Sequence, residues 1–507
     1  SAIIYFIKVI TIRFIGTTGV ITGKKLLRSL IFTKYEWHIK QNSTFLMTLF
    51  ISHLSIWNKT VIRQIPLIIG QFSLIFVPFI TLIFVSPIYG LLLILIGSSL
   101  VLYFLRYIRR ITNQLSEKVK ISQEEVSVYI KEVIEGIKDV KISSNEMIFI
   151  NKFSSLYNEY CMNFAKASSL NQLPSALIQL VSQLSVLSVG TVLVLIGFST
   201  QNIVSVMTIA ILVATKIIPS INKLGGALTN ISNVAPWIYT LNDIFKSSKE
   251  FKEIQVLKKR KIIKWSELIF ENVDFKYSTN SLSSIKNVSI KIQKGKHYGF
   301  VGKSGAGKST IIDLFLGLLI PTKGQIKVND ISLEEIGIEN WQASVGYVPQ
   351  KPLITSSSLR ENIAFGEHLN NIDNDRVLKC IKLASLEDLL KNLPNGIFSY
   401  IGERGKFLSG GQAQRVAVAR ALYQNPSILI FDEATSFQDA ENENLIKKSI
   451  QNIKGNRTVL SISHNFNLIK NCDEIFVIEK GCVIERGNYE ELMKKSKYFV
   501  EMKNYPE

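Results

Sequence analysis

The longest uncharged stretch of the chain limits its possible folds more than any other feature. From Ile65 to Leu105 there is no Asp, Glu, Lys or Arg. At a helical rise of about 1.5 Å per residue this stretch is roughly 60 Å long, which is about twice the hydrocarbon thickness of a bilayer. Pro87 and Gly90 stand near its middle, where they favour a tight turn. The stretch therefore predicts two membrane-crossing helices joined by a short turn.

A second uncharged stretch, Ala167–Thr215, predicts two more crossings by the same reasoning. The polar run Ser199–Asn202 divides it. The opening segment, residues 1–23, is apolar but carries Lys8 and Arg13, and we interpret it as a fifth crossing. Core helices of a soluble protein keep a polar face, and uncharged stretches as long as these do not provide one.

The excess of basic residues supports the membrane interpretation and gives it an orientation. The chain has 59 Lys and Arg against 40 Asp and Glu, a formal charge of +19, which nucleic-acid binding would also explain. Basic residues collect in segment 24–63 and directly after Leu105, between apolar stretches. The positive-inside rule makes these two loops cytoplasmic and places the turns near Pro87 and Gln201 outside. We therefore expect a multi-pass membrane protein, in contact with membrane lipids and with no nucleic-acid partner.

Residues 106–166 mix charged residues with apolar residues at helical spacing, for example Val126, Ile130, Val133 and Ile137. The pattern predicts two helices that continue out of the bilayer. They would either carry movement to a soluble domain or form a passive solvated hairpin, and the sequence leaves both alternatives open.

The second half of the chain has the pattern of a soluble α/β domain. Its apolar runs shorten to strand length, as in Val288–Ile292 and Ile428–Phe431, and helical patterns lie between them. We expect a helical transmembrane domain over residues 1–240, a charged linker over 241–263 and the α/β domain over 264–507.

A phosphate-binding motif lies in this α/β domain. The segment from Gly302 to Thr310 matches GxxxxGK[ST], after a strand-like run (His297–Val301) and before a helical pattern (Ile311–Leu318). Glycines let backbone N–H groups converge on phosphate oxygens at a helix N-terminus. Lys308 would neutralise the β- and γ-phosphates and Ser309 would ligate Mg²⁺. The residues expected to bind nucleotide here are Gly302, Ser304, Gly305, Ala306, Gly307, Lys308, Ser309 and Thr310.

Two carboxylates end a later apolar strand. The run Ile428–Phe431 is followed by Asp432 and Glu433. The carboxyl end of such a strand is where a nucleotide binds in an open α/β sheet. We expect Asp432 to hold the metal and Glu433 to polarise the attacking water.

Between these two motifs stands the segment Leu408–Gln412, with the sequence LSGGQ. It resembles the signature sequence of ABC ATPases, and with both flanking motifs it is similar to ABC exporters over the whole chain. The resemblance implies ATP and Mg²⁺ as cofactors. An exporter half usually has six crossings, so we expect one more before Ser1, where the chain begins in an apolar stretch without Met.

The resemblance also implies roles for residues outside the two motifs. Tyr277 would stack on adenine, and Gln350 would contact Mg²⁺ and the membrane half. His464 would be the switch histidine that holds the γ-phosphate. The signature of one subunit would contact ATP bound to a second copy of the chain or a close paralogue. The residues that it would bring to this shared site are Ser409, Gly410, Gly411, Gln412 and, from the following loop, Asp439.

Two departures from the family pattern concern neighbours of these residues. The segment Ser436–Asp439 reads SFQD where the family usually has SALD, and Asn465 follows His464 where many relatives carry Arg. Dimer packing is therefore expected to differ locally while the catalytic groups remain.

The fused arrangement favours an exporter over the alternatives. A soluble ABC ATPase needs no membrane crossings, and an importer usually keeps its ATPase on a separate chain. Segment Gly402–Gly405, with the sequence GERG, resembles a loop of exporters that contacts the cytoplasmic helices of the membrane half.

The cargo is less well determined by the sequence. Lys216 and Lys223 are seven residues apart, which puts them on nearly one helix face. They would either face a cavity that takes an anionic substrate or extend to the cytoplasmic headgroups. The stretch resembles that of bacterial flippases for lipid-linked oligosaccharides. We expect a lipid-linked or amphipathic cargo, with multidrug, lipid A or peptide export as the alternative.

Overall fold

The structure is a computed structural model. It describes residues 2–85, 114–170, 219–249, 263–277, 284–402, 407–433, 457–463 and 466–504, with the single positions 176, 180 and 191. The chain divides into two compact units, Ser1–Ile254 and Gln255–Glu507.

The described part of the first unit is helical. Its helices are Ala2–Ile31, Tyr35–Lys40, Ser43–Thr48, Leu54–Ile56, Arg63–Val85, Ile137–Ser143, Glu146–Leu170 and Ala235–Lys249. Positions 114–135 and 219–233 are helical as well. This confirms the two predicted helices between residues 106 and 166 over their described part, with a short third helix between them.

The charges of segment 24–63 led us to expect a loop. This prediction is wrong, because the segment is largely helical. The first helix continues to Ile31, and the chain turns back through the short helix Tyr35–Lys40. From Ser43 to Val85 the chain stays helical, with π-helical segments at Leu49–His53 and Trp57–Ile62. At about 1.5 Å per residue this helix is roughly 65 Å long, which is more than a bilayer core requires. Basic residues therefore lie on helices that extend past the apolar layer.

Among the described residues, two helical segments are long and apolar enough to cross a membrane, Tyr5–Ile31 and Ser43–Phe76. On the first of them, large apolar side chains such as Phe6 and Ile12 are exposed. Surrounding lipid explains this exposure, since hydrocarbon does not penalise an apolar surface. The parts of the expected crossings in 86–105, and nearly all of those in 171–215, lie outside the described residues.

In the described part of the first unit, apolar clusters and polar contacts join helices that are distant in sequence. Leu26, Leu49 and Leu241 are buried in one cluster that joins three helices. Lys120 donates a hydrogen bond from Nζ to Thr240 Oγ1 (2.7 Å). Such contacts link helices that are distant in sequence, and partial burial strengthens the hydrogen bond by reducing competition from water.

The second unit contains two sheets. A four-stranded antiparallel sheet has the order β2-β1-β4-β5, and a six-stranded sheet has the order β10-β9-β3-β8-β7-β6. In the larger sheet β9, β3, β8, β7 and β6 are parallel and β10 pairs antiparallel at the edge. The strands are β1 Glu267–Phe275, β2 Ile285–Gln293, β3 His297–Val301, β4 Lys323–Val328, β5 Ile331–Ser332, β6 Val345–Val348, β7 Ile428–Asp432, β8 Thr458–Ile462, β9 Glu474–Glu479 and β10 Cys482–Gly487.

Most described helices of this unit lie between strands in sequence and the last two follow β10, which confirms the predicted α/β class. They are Lys308–Phe315, Leu333–Ile336, Ile338–Gln342, Leu359–Ile363, Asn374–Leu383, Glu387–Asn392, Gly410–Tyr423, Phe466–Ile469, Tyr489–Lys495 and Lys497–Asn504. Two of them recur below: Lys308–Phe315 is the phosphate-loop helix and Gly410–Tyr423 is the signature helix.

The pattern of burial differs between strands of the two sheets. Every residue of β3 and β8 is buried, as expected for parallel strands covered on both faces. In β2 buried and exposed residues nearly alternate, which is the pattern of a sheet with one face in solvent. Since β8 separates β3 from β7, the carboxyl ends of the two motif-bearing strands lie about 10 Å apart.

Candidate functional site

The phosphate loop, Gly302–Gly307, connects β3 to the phosphate-loop helix through glycines that no other residue can replace. A Cβ atom on Gly302 would lie 2.3 Å from the carbonyl oxygen of Ile478. Gly307 has φ 107° and precedes the first helical residue. Only glycine adopts this conformation without strain. The loop therefore brings backbone N–H groups to the start of a helix, where an anion binds.

Lys308 is a buried cation held by backbone oxygens. It is 6% exposed, and its Nζ donates hydrogen bonds to the carbonyl oxygens of Gly302 (2.7 Å) and Lys303 (3.0 Å). Burial of a charge is tolerated only with such partners. Phosphate oxygens are stronger acceptors for an ammonium group than neutral carbonyls are, because the bond is then charge-assisted at both ends.

The loop forms one wall of a cleft of about 640 Å³. Gln350 and Glu433 also line it, so the structure brings three segments of the sequence together around Lys308. The lining residues that sequence analysis singled out are Ser304, Gly305, Ala306, Gly307, Lys308, Ser309, Thr310, Gln350 and Glu433.

Four further lining residues were missed: Ser284, Lys286, Lys480 and Gly481. The backbone N–H of Lys286 bonds to the carbonyl oxygen of Gly481, and Gly481 N–H bonds to that of Ala306, both at 2.9 Å. Lys480-Gly481 forms the turn between β9 and β10. A Lys-Gly pair after a strand indicates a turn, but nothing local indicates that the turn lies beside the phosphate loop.

Tyr277 lies beside the phosphate-loop helix. Its hydroxyl is 3.3 Å from Thr310 Oγ1, and its ring packs edge-on against Phe275, with 4.8 Å between the centroids. These contacts fix the ring next to the loop.

Asp432 ends β7 and accepts a hydrogen bond at Oδ2 from the Tyr347 hydroxyl (2.9 Å). Burial raises the pKa of Asp432 above its ordinary value, and the neighbouring Glu433 charge raises it further, while the Tyr347 hydrogen bond and Lys308 lower it. Sequence analysis assigned no role to Tyr347. Its contact with Asp432 depends on the pairing of β6 with β7.

Glu433 follows Asp432 in a left-handed conformation, with φ 47°. Its backbone N–H is bound to the carbonyl oxygen of Ile462 (2.9 Å), and Gln350 Nε2 donates to its Oε2 (2.6 Å). A positive φ is uncommon for glutamate, so these bonds hold a conformation that the isolated chain would avoid. The carboxylate is thereby turned into the cleft.

The signature segment lies elsewhere on this unit. Ser409 caps the signature helix with a capping box, in which its Oγ accepts from Gln412 N (3.2 Å) and Gln412 Oε1 accepts from Ser409 N (2.9 Å). A Cβ on Gly410 would meet nothing within 4 Å. No residue of 408–412 is among the described residues that line the cleft.

His464 and Asp439 lie outside the described residues, as do Lys216 and segment 403–405. Strand β8 ends at Ile462 and lies between β3 and β7. Lys223 is described and is exposed on the helical segment 219–233.

A further carboxylate, Asp313, was missed by sequence analysis. It lies on the phosphate-loop helix one turn after Ser309. Burial raises the pKa of Asp313 to about 6, and the charge of Asp432 adds to the effect. Asp432, the expected metal ligand, and its neighbour Asp313 thus both disfavour ionisation.

Comparisons with known proteins find a matching family model within each of the two units. Residues 2–216 match the model of the ABC transporter transmembrane region, and residues 285–436 match that of the ABC transporter ATPase. The ATP-dependent lipid A-core flippase of Photorhabdus laumondii is 30% identical over 445 residues, covering 86% of this chain and 73% of the flippase.

Other relatives match over less of their length. The leukotoxin translocation ATP-binding protein LktB of Mannheimia glucosida is 41% identical over 233 residues, 45% of this chain. The leukotoxin export protein LtxB of Aggregatibacter actinomycetemcomitans is 42% identical over 234 residues. The matched region spans 32% of each of these relatives. The solved structure of a bacterial Atm1-family ABC exporter with ATP bound has the same fold, with a TM-score of 0.82, 21% identity and coverage of 97% of this chain and 86% of that one.

The environment of Asp313 predicts a pH-dependent gain in stability for Asp313→Asn. An aspartate whose pKa is raised on folding, from 3.8 to about 6, destabilises the folded state above that pKa and has no effect below the unfolded value. We expect the variant to have a clearly higher melting temperature than wild type at pH 8, and a much smaller difference near pH 4, just above the unfolded pKa. Thermal unfolding in EDTA, without nucleotide, measures this. An equal difference at both pH values would contradict it.

Proposed function

The chain belongs to the ABC transporters of the exporter type, with a membrane region and an ATPase domain in one polypeptide, and we infer its mechanism from this membership and from the cleft. ATP hydrolysis at the cleft would drive movement of a substrate through the membrane region. The observation that carries this is the convergence of Lys308, Gln350 and Glu433 on one cleft beside the phosphate loop.

Hydrolysis requires a group that orients water against the γ-phosphate. We assign this role to Glu433, whose carboxylate is turned into the cleft and held there by Gln350 Nε2 at 2.6 Å. Lys308 would exchange its carbonyl partners for the β- and γ-phosphates. Tyr277 would stack on adenine, since its contacts with Phe275 and Thr310 hold the ring beside the loop. His464 is assigned to the γ-phosphate from the resemblance alone.

The residues at the cleft also suit a magnesium ion. The Ser309 hydroxyl, the Asp432 carboxylate and the Gln350 side-chain oxygen are hard donors of the kind that Mg²⁺ takes, together with substrate phosphates. When bound, Mg²⁺ neutralises charge on the transferred phosphate. Its positive charge would also offset the repulsion between Asp432, Glu433 and Asp313.

The site is proposed to be completed by a second copy of the chain. Ser409, Gly410, Gly411 and Gln412 begin a helix whose N-terminal amide groups suit the γ-phosphate. They do not line the cleft formed by Gly302–Gly307 of the same chain. Because every catalytic residue type is present in this one sequence, two copies would form two competent sites, with Asp439 near their interface.

We propose a lipid-linked or amphipathic cargo. A transporter selects its cargo in the membrane region, so similarity there is more informative than similarity in the ATPase. The flippase match covers 86% of this chain, so it must extend into the membrane region. The leukotoxin matches cover less than half of this chain. Lys216 and Lys223 would then meet an anionic headgroup. We place the chain in a bacterial cytoplasmic membrane, with its ATPase domain in the cytoplasm.

Two substitutions should separate binding from hydrolysis. Glu433→Gln removes the base but keeps an acceptor for Gln350, so we expect ATP binding to be preserved and kcat to fall about 100-fold or more. Lys308→Ala removes the phosphate countercharge, so ATP affinity itself should fall. Binding of fluorescent ATP and phosphate release measure the two effects. Hydrolysis by Glu433→Gln near the wild-type rate would reject the assigned role.

Shared sites predict rescue between inactive variants. Lys308→Ala and Ser409→Arg chains should each be inactive as homodimers. In a mixed dimer one site carries both lesions and the other carries neither, so part of the ATPase activity should return. Differently tagged chains, purified through both tags, provide the mixed dimer for phosphate-release measurements, with wild-type mixtures as controls. Absence of rescue in a verified mixed dimer would count against shared sites.

The cargo proposal predicts selective stimulation of hydrolysis. The full-length protein, reconstituted in lipid vesicles, is assayed with a pyrophosphate-linked lipid oligosaccharide, lipid A, a cationic drug and a leukotoxin-derived peptide. We expect the anionic lipids to raise kcat, and Glu433→Gln serves as the inactive control. Stimulation by the peptide or the drug alone would overturn the proposal.

A further inference from the structure

One buried side chain joins the signature helix to the segment that carries Gln350. Gln414 is 2% exposed and lies in the second turn of that helix. Its Nε2 donates a hydrogen bond to the carbonyl oxygen of Pro349 (2.9 Å). The other buried residues of the helix are mostly apolar. A buried amide is costly without a partner, so this bond accounts for a glutamine at a core position.

The bond to Pro349 restrains the next residue as well. The proline ring fixes φ of Pro349, and the peptide group between Pro349 and Gln350 is planar. Holding the Pro349 carbonyl therefore orients the backbone from which the Gln350 side chain starts. Gln350 in turn donates from Nε2 to Glu433 Oε2 (2.6 Å). Two short hydrogen bonds thus connect the signature helix to the carboxylate in the cleft.

The helix is a suitable element for transmitting movement along this path. It is 14 residues long and its start is tied to Ser409 by the capping box. Gln414 is five positions after Ser409, within the same stiff helix. When the N-terminus of the signature helix contacts a nucleotide and is displaced, Gln414 would move with it and shift Pro349. Little of the displacement would be absorbed on the way, because buried, well-packed elements deform little.

We propose that Gln414 is a positioning residue for hydrolysis, which transmits the position of the signature helix to the Gln350–Glu433 pair. The proposal rests on the proposed role of Glu433 in orienting water. Gln414 itself touches neither nucleotide nor water. It sets where Gln350, and through Gln350 the Glu433 carboxylate, lies when the signature helix is in place.

The first test is Gln414→Met in the full-length reconstituted protein. Methionine has nearly the same length and volume but cannot donate to Pro349. We expect kcat for ATP hydrolysis to fall about three- to tenfold, the effect of one lost hydrogen bond. The KM for ATP should stay within about twofold, because the phosphate-loop contacts are unchanged. Gln424→Met, at the exposed C-terminal end of the same helix, is the matched control and should leave both parameters unchanged.

A double-mutant cycle distinguishes positioning from simple loss of packing. The substitution is repeated in a Gln350→Ala background, and single-turnover phosphate release gives the rates. If Gln414 acts through Gln350, the substitution should have no further effect there. A fall by the same factor in both backgrounds would overturn the proposal, and so would an unchanged kcat in the first test. Gln414→Asn, which keeps the amide but is too short to reach Pro349, should behave like Gln414→Met and decides the matter if the methionine variant unfolds.

Failure of this proposal is separable from failure of the proposed function. Near-wild-type hydrolysis by Glu433→Gln would reject the role of Glu433 and with it the role of Gln414. An inactive Glu433→Gln variant with an additive cycle would reject only the positioning role of Gln414.

Discussion

The pairing of β3, β8 and β7 at the centre of one sheet is the constraint on which the ATPase unit depends. Their hydrogen-bonded register brings the phosphate loop and Asp432 to one edge, with the chain after β8 between them. Both faces of β3 and β8 are buried, so a shift of register would disrupt close packing of apolar side chains on both faces. The apolar strands thus fix where the charged groups lie, although, apart from Asp432 at the end of β7, the strands carry none of the residues assigned to the chemistry.

The charged groups at the cleft are only partly compensated by the protein itself. Lys308 is buried and is solvated by two backbone carbonyls, while burial raises the pKa of both Asp432 and Asp313. Each group lies where its own ionised form is costly. A phosphate chain with a divalent cation supplies both the negative charge that Lys308 accepts and the positive charge that the carboxylates accept. Under the proposed function, bound nucleotide and its cation would offset the free energy lost by burying these groups.

The membrane unit follows a different rule, because its solvent is lipid over part of its length. Apolar side chains such as Phe6 and Ile12 are exposed without cost in hydrocarbon, while Leu26, Leu49 and Leu241 form a core of ordinary kind. A helix that is longer than the bilayer is thick lies in lipid over one part of its length and in water over another. This is why segment 24–63 carries the charges expected of a loop and the backbone of a helix, and why charge pattern alone predicted its structure wrongly.

The sequence by itself determined the class of fold, the phosphate loop, Asp432 and Glu433, since each depends on local chemistry: glycines before a helix, uncharged runs of membrane length, and acids directly after an apolar strand. Lys286, Lys480, Tyr347 and Asp313 could not be found this way. Lys286 and Lys480 reach the cleft because a turn after β9 pairs with the start of β2, and Tyr347 and Asp313 approach Asp432 from other elements. The same holds for the bond from Gln414 to Pro349, which joins residues 65 positions apart. Contacts of this kind depend on which strands and helices become neighbours, and no local pattern encodes that, so only the folded chain revealed them.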